Sequence, residues 1–192
     1  MLMSIGQRHS GFTLIEVLVT FLIVAIGLLG LGALQVNTMN NSFETYQRAL
    51  VGSIVEDMAA RIRMNANAAL AGEYFVDLES VAASLNCVGT VSQRDLCEWK
   101  AQIMGCNAQT EVEPDDELIC VPERAAQNVG APLAARGCIE QLGSSGSGEL
   151  WLRVSVAWIG LTPQAETALG CGADDMGNEA YRRVVFRDVA VR

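Results

Sequence analysis

"SGFTLIEVLVTFLIVAIGLLGLGALQV", residues 10–36, decides how this chain is built. From Val17 to Val36 it holds 20 residues without a charge, enough to cross a bilayer as a helix. A secretory signal peptide fits poorly, because its apolar region is about 7–15 residues and ends at a small-residue cut. This run is longer, and no such site follows it closely. Arg8 and His9 make the short leading end positive and place it on the cytoplasmic side. Everything after the run would then face outward. One residue breaks the pattern. Glu16 stands at the start of the span: a carboxylate in the middle of a bilayer costs about 2.5–3.5 kcal/mol on insertion scales, and one turn from the end of the run a chance charge near the interface is the alternative. Such residues are usually paired or functional, so Glu16 is a candidate site in its own right.

Beyond the apolar block the chain is acidic, and over its 192 residues the net charge is −9. That balance argues against nucleic-acid binding, which needs Lys and Arg against phosphates. Its only support would be the arginines of the closing segment, Arg182, Arg183, Arg187 and Arg192. Six cysteines, Cys87, Cys97, Cys106, Cys120, Cys138 and Cys171, all follow the apolar block, with no C-x-x-C pair among them. An even number in an exported domain favours disulfides over a metal site. Six cysteines allow fifteen pairings, and the sequence does not choose among them. The one histidine, His9, precedes the span, so no Ser–His or Cys–His pair and no histidine metal site is available outside. No catalytic, metal-binding or cofactor-binding residues are assigned, and the outer domain reads as structural or adhesive.

From Phe43 the pattern becomes one-sided. Phe43, Tyr46, Leu50, Ile54, Met58 and Ile62 recur at three- and four-residue steps, the mark of an amphipathic helix. Glu44–Arg48 and Asp57–Arg61 are spaced as i,i+4 pairs on its solvent side. With no proline from 12 to 71, one long helix is predicted to end near Gly72. Short helices are predicted over Asp77–Leu85 and Leu96–Met104. "TEVEPDDELICVPE", residues 110–123, clusters carboxylates without EF-hand spacing and reads as a solvated loop. "GSSGSGE", residues 143–149, is a turn or linker. Two strands follow. In "ELWLRVSVAWIG" Leu150, Leu152, Val154, Val156 and Trp158 share one face; in "YRRVVFRDVAVR" Val185, Val189 and Val191 share one with Arg183 and Arg187. Trp151 and Trp158 read as sheet-surface and core residues. The expected fold class is α+β: a long N-terminal helix, membrane-spanning then amphipathic, packed against a C-terminal antiparallel sheet.

"SGFTLIEVLV" resembles the class III signal of the type IV pilin-like family. The resemblance implies that prepilin peptidase cuts between Gly11 and Phe12 and methylates the new amine of Phe12. It also places the family's conserved glutamate on Glu16. There the carboxylate would neutralise the N-terminal amine of an adjacent subunit, offsetting the desolvation of both charges. Gly27, Gly30 and Gly32 would either loosen the helix in the filament, as in relatives, or simply let helices pack closely. The implied layout is a leader 1–11, a transmembrane and assembly helix 12–42, its amphipathic half 43–72 and a periplasmic, then extracellular, domain 73–192. Loss of the leader would leave 12 basic against 22 acidic side chains.

Within the family, the extended N-terminal stretch and "WLRVSVAW … YRRVVF" resemble the pilus-modification minor pilins. That implies priming of pilus assembly at the tip, with other minor pilins, the major pilin, the inner-membrane assembly platform and a tip adhesin as partners. It also implies passage from the inner membrane to the cell surface. A minor pseudopilin of a type II secretion system shares the signal and stem, though such chains tend to be shorter and poorer in cysteine. A major pilin is disfavoured: Cys138 and Cys171 would close a loop, but a full strand follows it. A bitopic membrane receptor or enzyme, with Glu16 incidental, is the reading from another class.

Overall fold

A computed structural model describes residues 11, 13–78, 87, 89–105, 131–132, 134–144 and 149–192. The chain divides into two units, Met1–Ser42 and Phe43–Arg192. Helix α1 spans Leu14–Met64. It stops where Asn65 leaves helical geometry, and a short helix α2, Ala66–Leu70, follows. Gly72 ends α2 in the left-handed region at φ 83°. The Glu73 N–H reaches the Ala68 carbonyl and the Gly72 N–H the Ala69 carbonyl, both at 3.0 Å. This pair of bonds is the Schellman arrangement, which satisfies carbonyls a helix end would otherwise leave open. The predicted stop at Gly72 holds, but the single predicted helix is two, broken at Asn65.

In the second unit α1 buries Val51, Ile54, Val55, Met58, Ala59 and Ile62. Phe43 and Tyr46, predicted to start that stripe, are exposed; the buried face begins instead at Gln47 and Val51. Helix α3, Val91–Met104, begins five residues before the predicted Leu96. The earlier start is set by a capping box: the Thr90 hydroxyl accepts from the Gln93 N–H while the Gln93 side chain accepts from the Thr90 N–H. Gly105, left-handed at φ 69°, closes α3.

The sheet has four antiparallel strands in sequence order: β1 Val76–Leu78, β2 Arg136–Ser144, β3 Leu150–Ile159 and β4 Arg182–Val191. β3 and β4 are the two predicted strands. β1 replaces the start of the helix predicted over Asp77–Leu85, and residues 79–85 lie outside the described residues. The long strand β2 has no counterpart among the predicted elements, because its inward positions carry no apolar alternation. Gly137 and Ile139 stand opposite Val156 and Val154, and Gly137 has no side chain to betray it. The glycine is there for space. A Cβ at 137 would sit 2.6 Å from Ile103 Cδ1 and 2.7 Å from the Trp99 ring, so α3 can lie close against β2 only over a glycine.

One core joins these elements. Val51, Ile54, Met58 and Ile62 of α1 meet Trp99 and Ile103 of α3 and Leu150, Leu152, Val154, Val156, Trp158, Val189 and Val191 of the sheet. Trp99 is fully buried, and its indole N–H donates to the Ile54 carbonyl at 3.1 Å. The molecule is thus α+β, a long N-terminal apolar helix with a C-terminal antiparallel sheet, as expected. Trp158 is in the core and Trp151 is 41% exposed on the opposite sheet face.

Candidate functional site: the N-terminal stem and the contacts of its domain half

Thr13 opens α1. Its carbonyl accepts from the Glu16 N–H at 3.1 Å and the Val17 N–H at 3.3 Å, and its hydroxyl accepts from the Glu16 N–H at 3.4 Å. Glu16 therefore stands in the first turn, where a carboxylate also faces the positive end of the helix dipole. The T-x-x-E spacing, Thr13 to Glu16, is itself a capping signal. Gly11 lies exposed just before the helix, while Phe12 is outside the described residues, as are Arg8 and His9.

From Leu14 to Met39 every large apolar side chain is exposed. The segment carries a window of mean hydropathy 2.7, none of it buried, and among the described residues it is the one helix long and apolar enough to cross a membrane. Leu14 to Val36 rises about 35 Å at 1.5 Å per residue, slightly more than the hydrocarbon core. α1 runs unbroken through Gly27, Gly30 and Gly32, and an added Cβ at each would meet nothing within 4 Å. In the single chain these glycines neither loosen the helix nor accommodate a neighbour.

In the second unit, Glu44 is not paired with Arg48 on a solvent face, as its spacing predicted. One carboxylate oxygen, Oε1, accepts from the Leu161 N–H at 3.0 Å, the Thr162 N–H at 2.9 Å and the Thr162 hydroxyl at 2.7 Å. The Arg183 guanidinium stands 3.6 Å away. Burial alone would raise this carboxyl, but the Thr162 bonds and Arg183 outweigh it and hold it below the usual range. The tertiary fold, not helix spacing, chose the partner. The second spaced pair does form: Arg61 Nε meets Asp57 at 2.9 Å, and Arg61 also bonds Asp95 at 3.1 Å and Glu98 of α3. Burial would lower the guanidinium, but Glu98, Asp57 and Asp95 raise it, so it stays charged. Tyr74 donates to Asp95 at 2.6 Å, and burial together with that carboxylate pushes its phenol up to about 12.

The cysteines that are described form two bonds, Cys87–Cys97 and Cys138–Cys171. The first ties the segment before α3 to α3 itself. The second fastens the β3–β4 connection onto β2, across the sheet face away from α1, where Cys171 packs with Cys138, Ala157 and Met176. The loop that the sequence left uncertain is therefore closed, with β4 following it. Cys106 and Cys120 lie outside the described residues, as does the acidic stretch 110–123. Among the described residues no group of three or more His, Cys, Asp or Glu is placed to hold a metal.

Residues 6–32 match the prokaryotic N-terminal methylation motif, the class III prepilin signal. No curated protein matches the chain, and no solved structure does. The motif supports a type IV pilin or pseudopilin, a structural rather than enzymatic class processed by prepilin peptidase. With the exposed apolar helix it fits anchoring in the inner membrane followed by entry into a pilus or pseudopilus.

Proposed function

We propose that the chain is a minor subunit of a type IV pilus, of the pilus-modification, PilV-like kind, which helps to prime assembly at the tip. The supporting observation is the stem: an unbroken exposed apolar helix from Leu14, with Glu16 in its first turn. An exposed face of this length needs lipid or other apolar helices around it. In this reading prepilin peptidase cuts between Gly11 and Phe12, removes the leader 1–11 and methylates Phe12. Residues 12–42 form the transmembrane and assembly helix, 43–72 the amphipathic half that carries the domain, and 73–192 the exported domain. In the filament Glu16 meets the amine of a neighbouring Phe12, since each charge in apolar surroundings needs an opposite partner. The partners are the other minor pilins, the major pilin, the assembly platform and a tip adhesin.

The test is mass spectrometry of the N-terminal peptide from sheared surface filaments. A methylated Phe12 start in the filament fraction is expected. A chain intact from Met1 and confined to membranes would overturn the reading in favour of a bitopic anchor. A processed start found only in the envelope would move it to a pseudopilus of type II secretion.

A further inference from the structure

Besides an Arg136–Asp175 ion pair at 3.3 Å, whose carboxylate is exposed, the connection from β3 to β4, residues 160–181, is held down at two buried places by different chemistry. At its start, Thr162 is gripped by all three of its polar groups. Its N–H and hydroxyl donate to Glu44 Oε1, and its carbonyl accepts from Arg183 Nη2. Arg183 is only 6% exposed and also donates to the Ala180 carbonyl at 3.1 Å. Gly160 makes room for it, since a Cβ there would stand 2.9 Å from the guanidinium carbon. Farther along, Arg182 points to the other side of the sheet, 3% exposed. It donates to the carbonyls of Leu169 at 2.7 Å, Cys171 at 3.0 Å and Thr167 at 3.1 Å, and to Glu179 at 2.5 Å. The Cys138–Cys171 bond closes the same stretch covalently.

We infer that this connection is a strap with two locks that open independently: an acid-released lock of Glu44 and Arg183 around Thr162, and an acid-resistant lock of Arg182 and the Cys138–Cys171 bond. The charged group facing Glu44 from the sheet is Arg183; on its own helix Arg48 lies four residues on. The folded Glu44 carboxyl titrates below its ordinary value, so its hold is complete above that ordinary value and is lost as pH falls through the folded one. Protonation weakens three hydrogen bonds at once and leaves the buried Arg183 without its carboxylate. The second lock gives up only Glu179 in acid, because three carbonyls and a disulfide do not titrate there. Acid therefore frees Leu161–Pro163 while the rest of the strap stays on the sheet. This gives the domain a pH-responsive surface beside α1, whatever assembly the stem enters.

Residue-resolved hydrogen exchange on the full chain in detergent micelles tests this, with rates normalised to intrinsic exchange. In Glu44→Gln at neutral pH, the Leu161 and Thr162 amides are expected to exchange at least tenfold faster. The Ala173 and Tyr181 amides, bonded to the Gly170 and Asn178 carbonyls, keep wild-type rates. Wild type at pH 3 shows the same selective loss, an arm that needs no variant to fold. Unchanged protection at Leu161 and Thr162 in both arms, or a loss that spreads equally to Ala173 and Tyr181, overturns the two-lock inference.

Discussion

Gly137→Ala should cost far more than adding one methyl group suggests. The new Cβ would lie 2.6 Å from Ile103 Cδ1 and 2.7 and 2.9 Å from two carbons of the Trp99 ring. All three distances are below any ordinary carbon contact, so something must shift. Overpacking of this kind costs about 1–3 kcal/mol. The ring is not free to slide, because its N–H is held by the Ile54 carbonyl at 3.1 Å in a site with no exposure. Stretching that bond adds about 1 kcal/mol. The expected loss is therefore about 2–4 kcal/mol, or roughly 5–15 °C in melting temperature for a domain of about 150 residues. Thermal unfolding followed by near-ultraviolet circular dichroism on the full chain in detergent reads it, since Trp99 reports directly. Ile103→Val removes the nearest clashing atom, so the double variant should recover part of the loss. Gly52→Ala is the control: in mid-helix, with nothing within 4 Å of the added Cβ, it should stabilise by about 1 kcal/mol. A Gly137→Ala melting temperature within 1 °C of wild type would refute the close approach of α3 to β2.

Removing the Cys138–Cys171 bond with a double serine variant should cost about 4 kcal/mol on a chain-entropy estimate for a sequence separation of 33, read by urea unfolding; an unchanged midpoint would mean that Arg182 alone holds the strap. Of Tyr46, Tyr74 and Tyr181, one phenol should titrate near pH 12 by absorbance at 295 nm, and Asp95→Asn should bring it down. Because that phenol is raised above its unfolded value of about 10, its share of stability is full below pH 10 and disappears as pH rises through 12. Glu16→Ala should leave leader removal largely intact yet reduce recovery in sheared filaments; full recovery would count against pairing with the Phe12 amine.

The stem and the two closing strands were legible because their patterns are local. A run of uncharged apolar residues, a T-L-I-E start and strict alternation from Leu150 to Trp158 require no knowledge of distant neighbours. β2 was not legible because its decisive residue, Gly137, acts by having no side chain, and only the position of Trp99 gives that absence meaning. The start of the buried helix face was misplaced for a related reason. Phe43 and Tyr46 repeat as regularly as any core stripe, but α1 is buried only from Gln47 and Val51 onward.

The sequence by itself determined a chain with a class III prepilin signal, an apolar helix, an acidic C-terminal part with cysteines, and an α+β class. These follow from residue chemistry and spacing along the chain. Tertiary structure alone decided which partners the charges take. Glu44 left its helical neighbour Arg48 for the Thr162 amide and hydroxyl, and Arg182 and Arg183, adjacent in sequence, serve opposite faces of the sheet. It also selected Cys138–Cys171 from fifteen arrangements of six cysteines. The physical reason is the same in each case: a buried charge, hydroxyl or thiol is satisfied by whatever the fold brings within about 3 Å, and sequence distance has no bearing on that.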